Sequence, residues 1–295
     1  MKKAAAGKAA FMEDNAMKIE TVHLREHYPL LSADGKDPIL TCYMPDNLSE
    51  MNWEKRRHRS MVVCPGGGYS MVSSREAEPV ALKLLAMDFY VFVLTYSVAP
   101  HRYPAQILEV AAAFDYIRSR AEEWNVDTQR IGIMGFSAGA HLAAHYSTAF
   151  DCAPVAEHFP NARAPFATVL SYPVISPETA HTGSFINLIG PEKELSEASA
   201  MDAAKLVNDR TPRAFIWHTA ADPVVPVVNS LMYAKALAEH GVPFEMHIYP
   251  DGYHGLSTSD GMSCDRDPVQ ETYDSQWLLA FKKWSDVNFA PDKAE

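Results

Sequence analysis

The sequence predicts an α/β protein with about eight strands in a mostly parallel sheet, helices on both faces, and a short insertion near the functional site. Three observations predict it. Short β-branched or aromatic runs alternate with longer stretches whose apolar residues recur every three or four positions, as in βαβ units. The runs YVFVLTY (90–96) and RIGIMG (130–135) are nearly continuous in apolar character, as expected of strands covered on both faces. A Gly-x-Ser-x-Gly stretch at 135–139 falls between the second of these runs and a helical pattern, a junction typical of such sheets.

The elements follow in order. KIETVHL (18–24) and ILTCYM (39–44) are rich in β-branched residues and open the sheet. SMVVC (60–64) is a third strand, ended by the turn residues Pro65-Gly66-Gly67-Gly68. A helix over 76–87 (EAEPVALKLLAM) leads to the strand at 90–96, and a longer helical pattern over 105–124 leads to the strand at 130–135. A helix over 138–148 and a strand over 167–172 follow. Strands at 213–219 and 245–249 flank a helix over 229–240, and a last helix covers 268–289, with Trp277 and Trp284 two turns apart on one core-facing side. Residues 176–211 show weak periodicity and are too many for an ordinary connection, so they are expected to form a lid-like insertion beside the site.

Composition narrows the function. With 26 Lys plus Arg against 37 Asp plus Glu, the 295-residue chain carries a net charge of −11. That excludes the basic footprint of a nucleic-acid binder and points to a substrate that is neutral rather than anionic. A hydrophobic fraction of 47% suits a packed core, and no apolar run is long enough to span a bilayer. Cys42, Cys64, Cys152 and Cys264 are scattered without a C-x-x-C pair, which fits a reducing, cytoplasmic setting. The N-terminal stretch begins with Lys2 and Lys3, but Lys8 interrupts its alanines and Glu13 and Asp14 follow, so residues 1–17 read as a flexible arm, with Met17 an alternative start, rather than a signal peptide. The remaining 18–295 are expected to form one catalytic domain; a homo-oligomer is compatible with the sequence.

Chemistry concentrates at three places. In a strand-to-helix context, Gly135-Phe136-Ser137-Ala138-Gly139 is a nucleophile elbow, in which small flanking residues allow a strained turn to present the Ser137 hydroxyl. Such a hydroxyl needs a base held by a carboxylate. Past the carboxyl ends of two later strands lie Asp222, in AADP, and His254, between Tyr253 and Gly255; open α/β sheets place their sites at such ends. Asp251 competes with Asp222 for the carboxylate role, although Asp before Gly is also a common turn pair. Finally, Gly67 and Gly68, after a buried strand, together with the N–H of Ala138, are suited to hold an oxyanion.

PGGGY, GFSAGAHLA, AADPVVPVVNS and GYHGL, in that order, resemble the serine esterases of the α/β-hydrolase fold, notably hormone-sensitive-lipase-like enzymes and bacterial carbohydrate acetyl esterases. The likeness covers roughly 18–289. Pro65 stands before the triglycine where many relatives have His, and with SREAEPVA and the SYPVIS…GSFINLIG segment this looks more like the acetyl-esterase branch. The resemblance implies hydrolysis of short-chain acyl esters, particularly acetyl groups on sugars or xylo-oligosaccharides, with Ser137, Asp222 and His254 catalytic.

Other signals carry less. His141 and His145 are one helical turn apart, but Leu142 stands where a metalloprotease helix has Glu, so the pair is read as structural and no metal is expected. His101, His181 and His218 are read as satisfied polar residues, with His181 a candidate for the pocket if the insertion folds over it. Tyr69 either contacts substrate or packs. The cluster Arg56-Arg57-His58-Arg59 reads as a solvated loop edge, and the absence of a phosphate-loop motif implies no nucleotide cofactor. Two rivals remain: an amide- or peptide-directed hydrolase with the same triad, and a non-catalytic ligand receptor on the same fold.

Overall fold

The computed structural model describes residues 17–31, 37–51, 53, 55–179, 181–263 and 276–290. Apart from Met17, the expected N-terminal arm lies outside the described residues, as do Cys264 and the first part of the helix expected over 268–289. All eight expected strands are present: β1 (Lys18–His23), β2 (Ile39–Met44), β3 (His58–Cys64), β4 (Tyr90–Thr95), β5 (Val126–Phe136), β6 (Thr168–Ser171), β7 (Ala214–Thr219) and β8 (Phe244–Tyr249). They form one sheet in the order β1-β2-β4-β3-β5-β6-β7-β8. β1 pairs antiparallel with β2 and β2 with β4, while the pairings from β4 through β3 to β8 are parallel.

The nine described α-helices are α1 (Leu24–His27), α2 (Glu78–Leu85), α3 (Ala105–Ser119), α4 (Ala121–Trp124), α5 (Ala138–Ala149), α6 (Ala153–His158), α7 (Gly183–Ile189), α8 (Val228–Glu239) and α9 (Gln276–Asn288). The strands are sandwiched because alternate side chains feed two cores. Val62, Phe92, Ile133, Leu170 and Ile216 pack with α3, α5, α6 and α8; Met61, Val91, Met134, Val169 and Phe215 pack with α2 and α9. Trp277 and Trp284 both lie in the second core, on one face of α9.

Local differences from the sequence reading have local causes. The pattern at 105–124 is broken at Arg120, and α4 ends at Asn125, whose left-handed φ of 55° turns the chain into β5. β5 therefore begins four residues earlier than the apolar run suggested. The helix expected over 76–87 starts as a 3₁₀ turn, Ser74–Glu76, before α2. The weakly periodic 176–211 contains α7 and a 3₁₀ stretch, Leu195–Met201, whose Phe185, Leu188, Ile189 and Met201 are buried in the first core. Short helices that bury only a few side chains leave little period to read. Among the described residues no helix is long and apolar enough to cross a membrane.

The order of strands positions the site. After β4 the chain crosses to the far side of β3, so the carboxyl ends of the adjacent strands β3 and β5 face connections that leave in opposite directions. A crevice opens at such a switch point. Cys64, the last residue of β3, pairs with Gly135, two residues before Ser137.

The loop between β4 and α3 is tied down by a buried carboxyl. Glu109 on α3 accepts the Ser97 N–H at 2.6 Å and the Ser97 hydroxyl at 2.5 Å. Burial pushes its carboxyl up to about 7, against those two hydrogen bonds. The folded chain thus holds this proton to higher pH than the unfolded chain, so the stability tied to it is complete below about pH 4.5 and is lost as pH rises to about 7. Equilibrium denaturation of the wild type should show a decline over that window, on the order of 3 kcal/mol, that Glu109→Gln lacks. Parallel pH dependences for the two proteins would contradict this.

Candidate active site

Ser137 sits between β5 and α5 with φ 52° and ψ −119°, a conformation that a side chain rarely adopts and that costs on the order of 1–3 kcal/mol. Its backbone is fully engaged: the N–H donates to the Ser171 carbonyl at 3.0 Å, and its carbonyl accepts from Ala140, His141 and Val174. The flanking glycines are there for space. A Cβ at Gly139 would run into the carbonyl oxygens of Cys64 and Pro65, and one at Gly135 into the carbonyl of Gly139 and the backbone of Ala140. The first turn of α5 therefore presses against the end of β3, leaving the Ser137 hydroxyl at the crevice.

The structure brings Ser137, His254 and Asp222 together. His254 Nε2 lies 2.7 Å from Ser137 Oγ, and His254 Nδ1 lies 2.7 Å from Asp222 Oδ2. With the Nδ1 proton donated to the carboxylate, Nε2 is left to accept the serine proton. Asp222 accepts the N–H groups of Val224 and Val225 at its other oxygen, at 2.8 and 2.9 Å. Beneath it, buried His218 receives the Ser230 hydroxyl at Nδ1 (2.8 Å) and donates from Nε2 to the Val225 carbonyl (3.0 Å) and Asp222 Oδ2 (3.3 Å). Burial alone would raise the Asp222 carboxyl, but hydrogen bonds from His218, His254 and Val224 overcome it and hold Asp222 well below the usual carboxylate range. Asp251, the other carboxylate the sequence offered, is an exposed residue in the turn after β8.

The glycine loop after β3 is pinned through its carbonyls. Gly66 O accepts from Ser73 N, Gly67 O from Ser70 and Met71, Gly68 O from the Asn187 side chain at 2.9 Å, and Tyr69 O from Ala99 N. The N–H groups of Gly67, Gly68 and Ala138 have no partner among the described residues. Gly67 (φ 126°) and Gly68 (φ 64°) are in the left-handed region, where glycine carries no Cβ penalty. Together with Ser73, Glu76, Ser137, His181 and His254, they line a cavity of about 510 Å³. A larger cleft of about 880 Å³ lies along β8 and α9, but it is remote from Ser137 and contains no comparable relay.

Two residues are offered by the sequence for substrate contact, Tyr69 and His181, and the structure separates them. Tyr69 does not line the cavity: its ring is buried, edge-on to Tyr96, and its hydroxyl bonds His141 Nδ1 at 2.8 Å. His181, from the insertion, does line the cavity and bonds Ser184 Oγ at 3.1 Å; burial and then the neighbouring His254 lower its pKa. His141 also donates from Nε2 to the Met201 carbonyl, and burial lowers His141 to about 4 and His145 to about 3, so the pair is neutral and packed. Among the described residues no group of three His, Cys, Asp or Glu side chains could hold a metal ion. Sequence reasoning missed Asn187, Tyr172 and Glu76, which no motif marks because their partners lie on distant segments, and it read His218 only as a satisfied polar residue although its partners Asp222, Val225 and Ser230 are close in sequence.

A chain with this sheet, this strand-to-helix serine and this relay has the α/β-hydrolase fold, and comparison with known proteins places it more closely. The BD-FAE family profile matches residues 46–237, and the chain belongs to that family. It is 35% identical to the endo-1,4-beta-xylanase B of Butyrivibrio fibrisolvens over 74% of this chain and 35% of that protein. It is 33% identical to the acetylxylan esterase of Xylanibacter ruminicola over 77% of this chain and 45% of that protein. The chain thus spans less than half the length of either relative. Among solved structures, the acetyl ester-xyloside bifunctional hydrolase from Caldicellulosiruptor lactoaceticus superposes with a TM-score of 0.77 at 34% identity, covering 91% of this chain and 96% of that one.

Replacing Gly139 by Ala should distort the elbow, because backbone oxygens cannot move aside as side chains do. The expected loss is on the order of 1–3 kcal/mol or more in denaturant titration, with reduced reactivity of Ser137. Unchanged stability would show that α5 can shift off β3.

Proposed function

We propose that the chain is a serine carboxylic-ester hydrolase acting on short acyl groups, most of all acetyl esters of sugars or xylo-oligosaccharides. The observation that carries this is the Ser137–His254–Asp222 relay, with two 2.7 Å contacts, at the wall of a cavity that also exposes the free N–H groups of the glycine loop. His254 takes the Ser137 proton as Oγ attacks the ester carbonyl, forming a C–O bond and placing negative charge on the carbonyl oxygen. Gly67, Gly68 and Ala138 N–H groups hold that oxyanion. The tetrahedral species collapses, the C–O bond to the alcohol breaks, and the alkoxide leaves with the proton from His254. Water, activated in turn by His254, attacks the acyl-serine and releases the acid. Asp222 keeps the imidazole in the required tautomer and stabilises its charged form.

The acetyl preference draws support from the relatives, one named acetylxylan esterase and one named acetyl ester-xyloside bifunctional hydrolase. Both curated relatives extend well beyond the matched region. Free thiols at Cys42, Cys64 and Cys152 are in keeping with a reducing compartment.

Ser137→Ala should lower kcat for p-nitrophenyl acetate by roughly 10⁴-fold or more, and a fluorophosphonate probe should label the wild type at Ser137 alone. Asp222→Asn should fold and lose on the order of 10⁴ in kcat, since the amide favours the wrong imidazole tautomer. Undiminished turnover in Ser137→Ala would sink the assignment. Acetate release from acetylated xylo-oligosaccharides should exceed release of butyrate and longer acids from matched esters; anilides cleaved as fast as esters would instead favour an amide hydrolase.

A further inference from the structure

Glu76 is a charged group that the mechanism above does not use, yet it is 3% exposed and lies at the wall of the catalytic cavity. One oxygen accepts the Gly66 N–H at 2.7 Å, in the loop that bears Gly67 and Gly68. The other accepts the Tyr172 hydroxyl at 2.6 Å. That hydroxyl in turn accepts the Ser257 N–H at 2.9 Å, three residues past His254, and the Tyr172 ring stands edge-on to the His254 imidazole with centroids 5.1 Å apart. Gly66 is wedged between Glu76 and the nucleophile: a Cβ on it would lie 2.7 Å from Glu76 Oε2 and 3.0 Å from Ser137 Cβ.

We propose that Glu76 is a positioning residue whose buried carboxylate ties the glycine loop to the His254 loop and whose negative charge supports the imidazolium that forms on His254 during ester attack. This rests on the roles given to Ser137 and His254 above. The donors facing Glu76 define its ionised form. Tyr172 has spent its accepting capacity on Ser257, so its proton needs an acceptor, and the Gly66 N–H needs another; a carboxylate satisfies both, while a protonated acid would bring a third hydrogen to two donors. Burial prevails and leaves the Glu76 carboxyl raised, with Tyr172, Gly66, His254 and Arg75 offsetting part of it, so the ionised form rests on the two donors facing it. The groups facing His254 are Ser137, Asp222, the Tyr172 ring and His181, with the exposed Arg75 guanidinium against Gly255; buried Tyr96 is also within electrostatic reach of Glu76. Apart from Asp222, Glu76 is the anionic group of this set. A residue serving packing alone would not need a charge here, since an apolar side chain would fill the space without desolvating a carboxylate.

Two variants separate the charge from the shape. Glu76→Gln keeps the shape, removes the charge and presents an amide donor to one of the two existing donors. Its kcat should fall by about tenfold to a hundredfold with KM within about threefold, because the loss falls on the oxyanion and the charged imidazole rather than on substrate binding. Removing a negative charge near the imidazole makes its protonation harder, so the acid limb of kcat/KM should move to lower pH, by roughly half a unit. Glu76→Asp keeps the charge but withdraws it by one methylene, so kcat should fall while the acid limb stays in place. Folding of each is checked by thermal melting. Wild-type kcat and an unmoved acid limb in folded Glu76→Gln would overturn the inference; if that variant did not fold, wild-type kcat in Glu76→Asp would overturn it. Activity surviving in Ser137→Ala would count against the catalytic reading itself, a separate failure.

Discussion

The first turn of α5 rests on the carbonyls at the end of β3 and the start of the glycine loop, with no side chain between them. Cys64 O and Pro65 O occupy the space a Cβ on Gly139 would need. The contact sets how far α5 descends onto the sheet, and hence the φ of 52° at Ser137, which no serine would adopt without support. The support is dense: four backbone hydrogen bonds hold Ser137 to β6, to α5 and to the segment after β6, in a region buried on both faces. Strain at one residue is offset by those bonds and by the packing of the two cores around it. The same contact fixes the distance between the serine and the glycine loop, since that loop continues directly from the carbonyls on which α5 rests.

Around this contact the polar groups are few, buried and mutually satisfied, which a low-dielectric interior requires. Asp222 is the clearest case. Four donors converge on its two oxygens, and their combined effect outweighs the burial that would otherwise protonate it. His218 reads as a satisfied polar residue by sequence, yet it supplies one of those donors, its Nε2 proton being fixed by the Val225 carbonyl, which can only accept, while Ser230 donates to Nδ1. On the other side of the imidazole, Trp217 stacks on Trp277 at 4.8 Å and donates to Ser171, while Trp277 donates to the Ser257 carbonyl. The tryptophan pair thus serves the second core and the loop after His254 at once.

The parts of the molecule that were legible in the sequence are those whose signal is local. The central strands could be read because burial on both faces leaves an unbroken apolar run, and Ser137 because its turn requires small residues at fixed offsets. His254 and Asp222 could be placed because they follow strands. The insertion resisted reading because α7 and the 3₁₀ stretch after it bury only scattered side chains, too few to make a period. Glu76 and Asn187 were invisible for a different reason. Each acts through a partner far along the chain, Tyr172 for Glu76 and Gly68 for Asn187, and a single sequence carries no mark of such a pairing. Tyr69 was ambiguous beside the glycine loop until its left-handed backbone turned the ring inward to His141.

Ser137 sits directly between β5 and α5, whereas Asp222 and His254 arrive on loops, ordinarily the most mobile parts of a fold. Rigid elements explain only the serine, which is held at a strand end and a helix start. The other two depend on ties within and between loops: Asp222 to the backbone of Val224 and Val225 in its own loop, the glycine loop to Asn187 of the insertion, and the His254 loop through Ser257 to Tyr172 and to the Arg75 carbonyl. The last of these brings the chain back to the segment just before α2, so the loops after β3, β6 and β8 form one hydrogen-bonded frame around the cavity. Catalysis of acyl transfer gains most from donors fixed before charge develops, because no reorganisation is then needed during the reaction. A frame of this kind supplies that fixity without extending any strand or helix.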